Sequence, residues 1–382
     1  MKRDLALLVG GSAVSFAGDA IALVAVTLRL QPHGAGWVGA LLAAELLPSA
    51  VLAPVTGRLV DRVETRRLLL VLMAVQGVVA LGLAFASAPV LVVALAGLLG
   101  TAAAFVMPAG SAFIPVVAGD DAARGFRLLS TTAGLGFVVG PALGGLLVGA
   151  IGTKGAILVD AATFGVLALT RLALRARRYP APAVRGTARG RNPVWRTRPL
   201  KIAIGATALA LTCAVVDNVA APFRMIDELG GSAQTFGTYL TVWSVGVFVG
   251  APLTGRLGAP ARALAIGNLV IGIGIAGIGF APTTLWAYVG AAVGGVGNGF
   301  MNAAQGAVVA AHVSNDEHGR AFATVGATLS IGMLTGTLVG PVLVEVLGAG
   351  GAMTLAGCLT AAVALPLAVG RIGSTVPTRV PA

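Results

Sequence analysis

Apolar runs long enough to cross a bilayer follow one another along this 382-residue chain, separated by short polar breaks. A helix rises 1.5 Å per residue, so about twenty apolar residues span the hydrocarbon layer. The pattern predicts helices over 5–28, 36–57, 67–87, 90–112, 127–150 and 155–174. A second set is predicted over 201–223, 236–257, 261–280, 284–310, 320–347 and 350–371. Between the sets lies the one long polar stretch, 175–200, rich in Arg and Pro, with too little apolar content to pack a core. The expected architecture is an all-α membrane protein of twelve transmembrane helices. A six-helix bundle (1–174), a cytoplasmic linker (175–200) and a second six-helix bundle (201–382) make up the chain.

Composition agrees with this. Hydrophobic residues make up 57% and charged residues 10% of the chain, with mean hydropathy +0.93. A soluble domain carries about 25% charged residues, so this chain cannot cover itself with a water-compatible surface. The net charge of +12 would suggest nucleic-acid binding in a soluble protein. Here the charges sit in the breaks. Of 26 Lys and Arg, 23 fall on one side of the predicted spans; only Arg29, Lys154 and Arg224 fall on the other. The positive-inside rule then places both termini and the linker in the cytoplasm of a multi-pass cell-membrane protein. Trp37, Tyr239, Trp243, Trp286 and Tyr288 lie near outer span ends, where an interfacial belt is expected. Cys213 and Cys358 fall inside apolar runs, and the three His lack metal-ligand spacing, so no disulfide, metal or cofactor is expected. The first run is too long for a signal-peptide core and reads as a retained span. No Ser/His/Asp or paired-acid constellation appears at matched depth, which argues against an enzyme.

The chain also repeats itself. Ala53-Pro54-Val55-Thr56-Gly57-Arg58-Leu59 returns 198 residues later as Ala251-Pro252-Leu253-Thr254-Gly255-Arg256-Leu257. At the same offset Asp19 maps onto Asp217, and Glu45 onto Trp243. Duplication of a six-helix unit explains this, with a working site expected between pseudo-symmetric halves.

Five acids lie within predicted spans: Asp19, Glu45, Asp160, Asp217 and Glu345. A charge at the bilayer centre costs roughly 2.5–3.5 kcal/mol on insertion scales. Such a group persists where it meets water, finds a partner or carries a proton. Asp19, Glu45 and Asp217 are the candidates for proton coupling or cation recognition, against a structural hydrogen bond to a neighbouring helix. Asp160 and Glu345 lie nearer span ends and read as structural. Arg29 and Arg224 could pair with these acids or reach the interface. Asn298, Asn302 and Gln305 share one face of the tenth span. With Met301 and Trp243 they are candidates for a substrate surface; bonding to another helix is the equal alternative.

Two motifs carry a family resemblance. Gly57-Arg58-Leu59-Val60-Asp61-Arg62-Val63-Glu64-Thr65-Arg66-Arg67 resembles the loop 2–3 signature of the major facilitator superfamily, G-x-L-x-D-R-x-G-R-R-x. Glu64 stands where the signature has its second glycine, which puts the tight turn in question. The resemblance implies a gating role for Gly57, Asp61, Arg62, Arg66 and Arg67; topology alone would also explain the arginines. Gly136, Gly140-Pro141 and Gly144-Gly145 in the fifth span are similar to the antiporter motif of drug-exporting facilitators, implying a hinge or seal. Glycines four apart clear one face for a neighbouring backbone, and Pro141 favours a bend. Gly332, Gly336 and Gly340-Pro341 repeat the frame, Gly340-Pro341 lying 200 residues after Gly140-Pro141. Gly18-Asp19-Ala20-Ile21 and Val159-Asp160-Ala161-Ala162 resemble the branch with macrolide-efflux and siderophore-export facilitators.

The resemblance implies a secondary transporter working by alternating access. No Gly-x-x-x-x-Gly-Lys-Ser/Thr loop is present, so ATP is not the direct driver. The expected partners are a small, moderately hydrophobic compound, protons and the lipid bilayer, with no nucleic acid, and the expected state is a monomer. Proton-coupled export is the first expectation. An importer or facilitator for a polar nutrient is the alternative, and a non-transporting membrane receptor a third.

Overall fold

The computed structural model describes residues 2–179, 193–196, 198–313 and 317–369. Residues 180–192 and 197 of the predicted linker, with Arg185, Arg189 and Arg191, and the C-terminal tail lie outside these. Among the described residues every regular element is a helix. They are α1 (Lys2–Leu30), α2 (Ala35–Arg62), α3 (Thr65–Phe85), α4 (Pro89–Ala118) and α5 (Ala122–Leu172), then α6 (Arg198–Ala214) and α7 (Val216–Phe223). A π-helical turn, Arg224–Glu228, leads to α8 (Ala233–Leu253), α9 (Pro260–Phe280), α10 (Thr284–His312) and α11 (His318–Val369).

Two of these helices are too long for one crossing, and each breaks at a glycine. Gly152 in α5 (φ 72°, ψ 171°) and Gly348 in α11 (φ 72°, ψ 168°) take a backbone conformation open only to glycine. Nine described segments are long and apolar enough to cross a membrane. Their outer faces carry large apolar side chains: Val78 is 69%, Phe280 71% and Val346 73% exposed. The buried core mixes many alanines with larger side chains such as Phe113, Leu69 and Tyr239. Such an apolar exterior is stable only against lipid. Trp286 is exposed, as an interfacial belt requires, whereas Tyr239 is buried against Phe236 and belongs to the core.

The chain forms two compact units: Met1–Thr187 with Met225–Thr241, and Ala188–Arg224 with Val242–Ala382. In the first, α1 packs along α5, α2 against α4, and α3 against α4 and α5. In the second, α9 packs against α10 and α11, and α11 also against α6 and α7. Glu64, at the position where the motif departs from glycine, is the N-cap of α3. Its carboxylate accepts from the backbone N–H groups of Arg66 and Arg67, both at 3.2 Å. Its φ of −62° requires no glycine, so the turn survives the replacement.

The internal repeat is visible in individual contacts. Arg29 donates to the carbonyls of Leu83 (2.6 Å) and Ala86 (3.3 Å) at the end of α3. Arg224 donates to those of Ile278 (3.2 Å) and Ala281 (2.5 Å) at the end of α9. Each partner lies 195 residues after its counterpart. Both arginines thus cap helix C-termini, where carbonyls lack intrahelical partners and the dipole favours a cation. Arg29→Ala is expected to lower stability by about 1–3 kcal/mol, read as a lower thermal midpoint in detergent; an unchanged midpoint would show the cap to be dispensable.

In α2 and α8 the offset is 198. The carbonyl of Glu45 lies against Gly100 as that of Trp243 lies against Gly295. Three extra residues therefore enter between Arg224 and Trp243, in the π-helical turn and its loop, and three are lost before Ile278. The 198-residue repeat is local, and the expected pairing of Asp19 with Asp217 is corrected accordingly. At 195, Asp19 corresponds to Ala214 and Asp217 to Ala22, about one helical turn apart. The glycine frame shifts similarly. Gly144 lies on Ile21 and Val24, and Gly340 on Val216 and Val219. Gly340 is thus the counterpart of Gly144 rather than of Gly140.

Candidate functional site

In the first unit, α1, α2, α3 and α5 each bring polar groups to an otherwise apolar hollow of ≈ 270 Å³. Asp19, Glu45, Gln76 and Asp160 line it among Leu23, Val26, Phe137 and Phe164. Asp19 is exposed to this space although it sits far from either end of α1. Asp160 is buried, and its Oδ1 accepts from Thr163 Oγ1 at 3.3 Å. Beside the hollow, α1 and α5 approach closely. A Cβ at Gly136 would lie 2.7 Å from Phe16 Cβ, and one at Gly140 2.5 Å from Ala20 Cβ and 2.9 Å from the Ala17 carbonyl. Gly145 serves another contact in the same unit: a Cβ there would lie 2.5 Å from the Ala233 carbonyl at the start of α8. Pro141 is buried beside these glycines.

The second unit holds a hollow of ≈ 350 Å³ in the equivalent place. Ala22, Glu45, Ala103 and Phe137 line the first; their counterparts Asp217, Trp243, Asn298 and Met333 line the second. Met301, Asn302, Gln305 and Asn218 complete its polar and soft surface. Asn302 donates to Asn298 at 2.7 Å, so the face predicted on the tenth span is pre-ordered. The wall positions are shared and the chemistry is not. Carboxyls gather in the first unit; amides and an indole gather in the second.

The structure therefore brings Asp19 and Glu45 to one hollow and places Asp217 with the amides in the hollow of the other unit. Asp160, read from sequence as structural, lines the hollow with Asp19. Glu345 lies on an exposed face of α11. Gln76 and Arg171 were missed: both are buried, and both line a cleft that adjoins the first hollow and shares Asp19 with it. A lone amide in the apolar run 65–85 was the available signal for Gln76. Arg171 looked like one more topology charge beside the arginines that follow it.

The loop 2–3 motif folds back on its own unit. Asp61 pairs with Arg178 at 2.8 Å, and Arg178 also donates to the Val60 carbonyl at 3.2 Å. Arg66 donates to the carbonyls of Arg171 (3.1 Å) and Leu172 (2.6 Å), capping the end of α5. Arg67 lies 3.6 Å from Glu64, and Arg62 ends α2. Gly57 lies in α2, its surroundings outside the described residues.

Comparison with known proteins gives the same kind of molecule. The Major Facilitator Superfamily profile matches residues 5–217 and 202–381. The chain is 30% identical over 323 residues to the class C tetracycline resistance protein of Escherichia coli, covering 79% of this chain and 78% of that one. It is 29% identical over 291 residues to the multidrug efflux pump Tap of Mycobacterium tuberculosis (strain ATCC 25618 / H37Rv), covering 68% and 66%. The crystal structure of the nucleoside transporter NupG superposes with TM-score 0.79 over 96% of this chain and 98% of that one, at 14% identity, a likeness of fold. Apolar helices, hollows inside them and a profile matching nearly the whole length agree: this multi-pass membrane protein is a transporter rather than an enzyme, and the chain belongs to the Major Facilitator Superfamily.

Proposed function

We propose that the protein is a proton-coupled antiporter that exports a small, moderately hydrophobic compound by alternating access. The observation that carries this is the hollow lined by Asp19, Glu45 and Asp160 inside an apolar helical unit. Ionised carboxylates around one low-dielectric hollow repel each other, and a proton or a bound cation relieves that repulsion. A cavity that gains and loses protons as it opens to alternate sides couples transport to the membrane potential, at about 2.3 kcal/mol per charge per 100 mV. The relatives named for tetracycline resistance and multidrug efflux support the outward direction. In this division of labour Asp19 and Glu45 carry protons, while Trp243, Asn298, Met301, Asn302 and Gln305 hold the compound beside Asp217.

We further infer twelve spans in two six-helix bundles, 1–174 and 201–382, joined by a linker over 175–200. Gly152 and Gly348 then turn α5 and α11 each into two crossings. The charge asymmetry of the loops supports cytoplasmic termini. Asp61, Arg66 and Arg178 form the cytoplasmic clasp, and Gly136, Gly140 and Gly144 the packed face on which α5 moves. We read the chain as acting as a monomer.

The amide-rich hollow of the second unit favours one other reading, uptake of a polar nutrient, since amides satisfy hydroxyl groups. A panel of toxic compounds and polar nutrients, tested in cells with and without the chain and with and without an uncoupler, separates the two. Export predicts lower accumulation of at least one hydrophobic compound, lost on uncoupling. Higher accumulation of a polar compound would replace export with uptake.

A further inference from the structure

The cleft adjoining the acid-lined hollow has groups of opposite character at its two ends. At one end Arg171 is 4% exposed. Its Nη1 donates to the Leu8 carbonyl at 3.1 Å and its Nη2 to Ser12 Oγ at 2.8 Å. Its Nε is buried without a partner. Among the described residues no carboxylate lies within 4.0 Å of this guanidinium. At the other end Gln76 is 6% exposed, and its Oε1 is likewise buried and unpartnered. Asp19 stands there too, lining both this cleft and the acid-lined hollow. Between the ends the wall is apolar, with Phe16, Met73 and Phe164.

A guanidinium offers five N–H donors, so Arg171 keeps capacity after its two bonds, and it lacks a counter-ion. Buried ions and polar groups of this kind are matched by a partner of opposite character. The complement of the Arg171 end is an acid. The complement of the Gln76–Asp19 end, a carbonyl oxygen beside a carboxylate, is an ammonium. Ser12 and Asp19 are seven residues apart on α1, which sets the ends about 10 Å apart along the helix axis.

We propose that this cleft binds an amphiphilic zwitterion, its acidic group at Arg171, its ammonium at Asp19 and Gln76, and an apolar body between. The proposal rests on the reading of the protein as a transporter and adds to it a binding region in the first unit, where the ammonium of the compound replaces the proton that Asp19 otherwise carries. Arg171 is then a specificity residue that separates zwitterions from simple amines.

The test is equilibrium binding to the purified full chain in detergent, using three probes of one length: ω-aminooctanoate, octylamine and octanoate. Aminooctanoate is expected to bind about tenfold more tightly than either single-ended probe, the worth of one charged hydrogen-bonded contact. Arg171→Gln is expected to bring aminooctanoate down to the affinity of octylamine without moving octylamine. Asp19→Asn should bring it down to that of octanoate. Arg171→Lys, which keeps the charge but loses the fork, is expected to retain part of the advantage and covers the case in which the glutamine variant does not fold. Equal binding of aminooctanoate and octylamine to the unaltered chain overturns the proposal and needs no variant. The measurement uses no gradient, so a failure of proton coupling or of export direction would leave it standing.

Discussion

Asp19→Asn is expected to reduce uncoupler-sensitive export to the level of cells lacking the chain, while the protein still inserts and folds. Asparagine keeps the shape of the side chain, exchanges one acceptor oxygen for an N–H donor group, and removes the charge and the titrating proton. Asp19 is exposed to the hollow, so its neutralisation leaves no buried ion without its partner. The fold therefore tolerates the change, and the effect falls on coupling and on the ammonium site at Asp19. Accumulation of a transported compound, measured beside the amount of protein in the membrane, decides the matter. Export unchanged at equal protein would remove Asp19 from the mechanism. Asp217→Asn is the informative companion, because Asp217 stands with the amides of the other hollow. A change in which compounds are exported, with uncoupler sensitivity retained, is expected there.

Gly140→Leu is expected to abolish transport by driving α1 and α5 apart. A single added Cβ would already sit 2.5 Å from Ala20 Cβ and 2.9 Å from the Ala17 carbonyl, and the latter is backbone that cannot turn aside. Overpacking a filled contact costs about 1–3 kcal/mol, and the larger leucine belongs at the upper end of that range. Gly165, on the same long helix, would place an added Cβ in open space, with nothing within 4 Å, and makes a control for substitution as such. The expected result is lost turnover and a lowered thermal midpoint for Gly140→Leu, with little change for Gly165→Ala. Normal turnover in Gly140→Leu would show that close approach of these two helices is not needed.

How far each feature was readable depends on how local its cause is. The helices α3, α4 and α9 follow from runs of apolar residues, because lipid leaves a backbone no other way to satisfy its polar groups. The glycine face of α5 was readable from its spacing, and α1 is the neighbour it admits. The Asn298–Asn302 face was readable for the same reason. Sequence went wrong where it extended a local match over a whole half. The matching segments at 53–59 and 251–257 suggested the same offset for Asp19, but the π-helical turn Arg224–Glu228 and its loop add three residues that are given back between Trp243 and Ile278. Arg29 and Arg224 donate to the carbonyls at the ends of α3 and α9, a role that the apolar pattern alone does not reveal.

The amino-acid sequence by itself determined the solvent this protein lives in, its all-helical build and the superfamily to which it belongs. These rest on composition and on contacts between residues close in the chain. Only the tertiary structure decided which polar groups share a hollow: Asp160 joins Asp19 and Glu45, Asp217 joins the amides, and Arg171 and Gln76 mark the ends of a cleft. Side chains from four or more helices meet at each place. A helix can rotate about its own axis without altering its hydropathy, so facing is settled by how helices pack and not by the order of residues along any one of them.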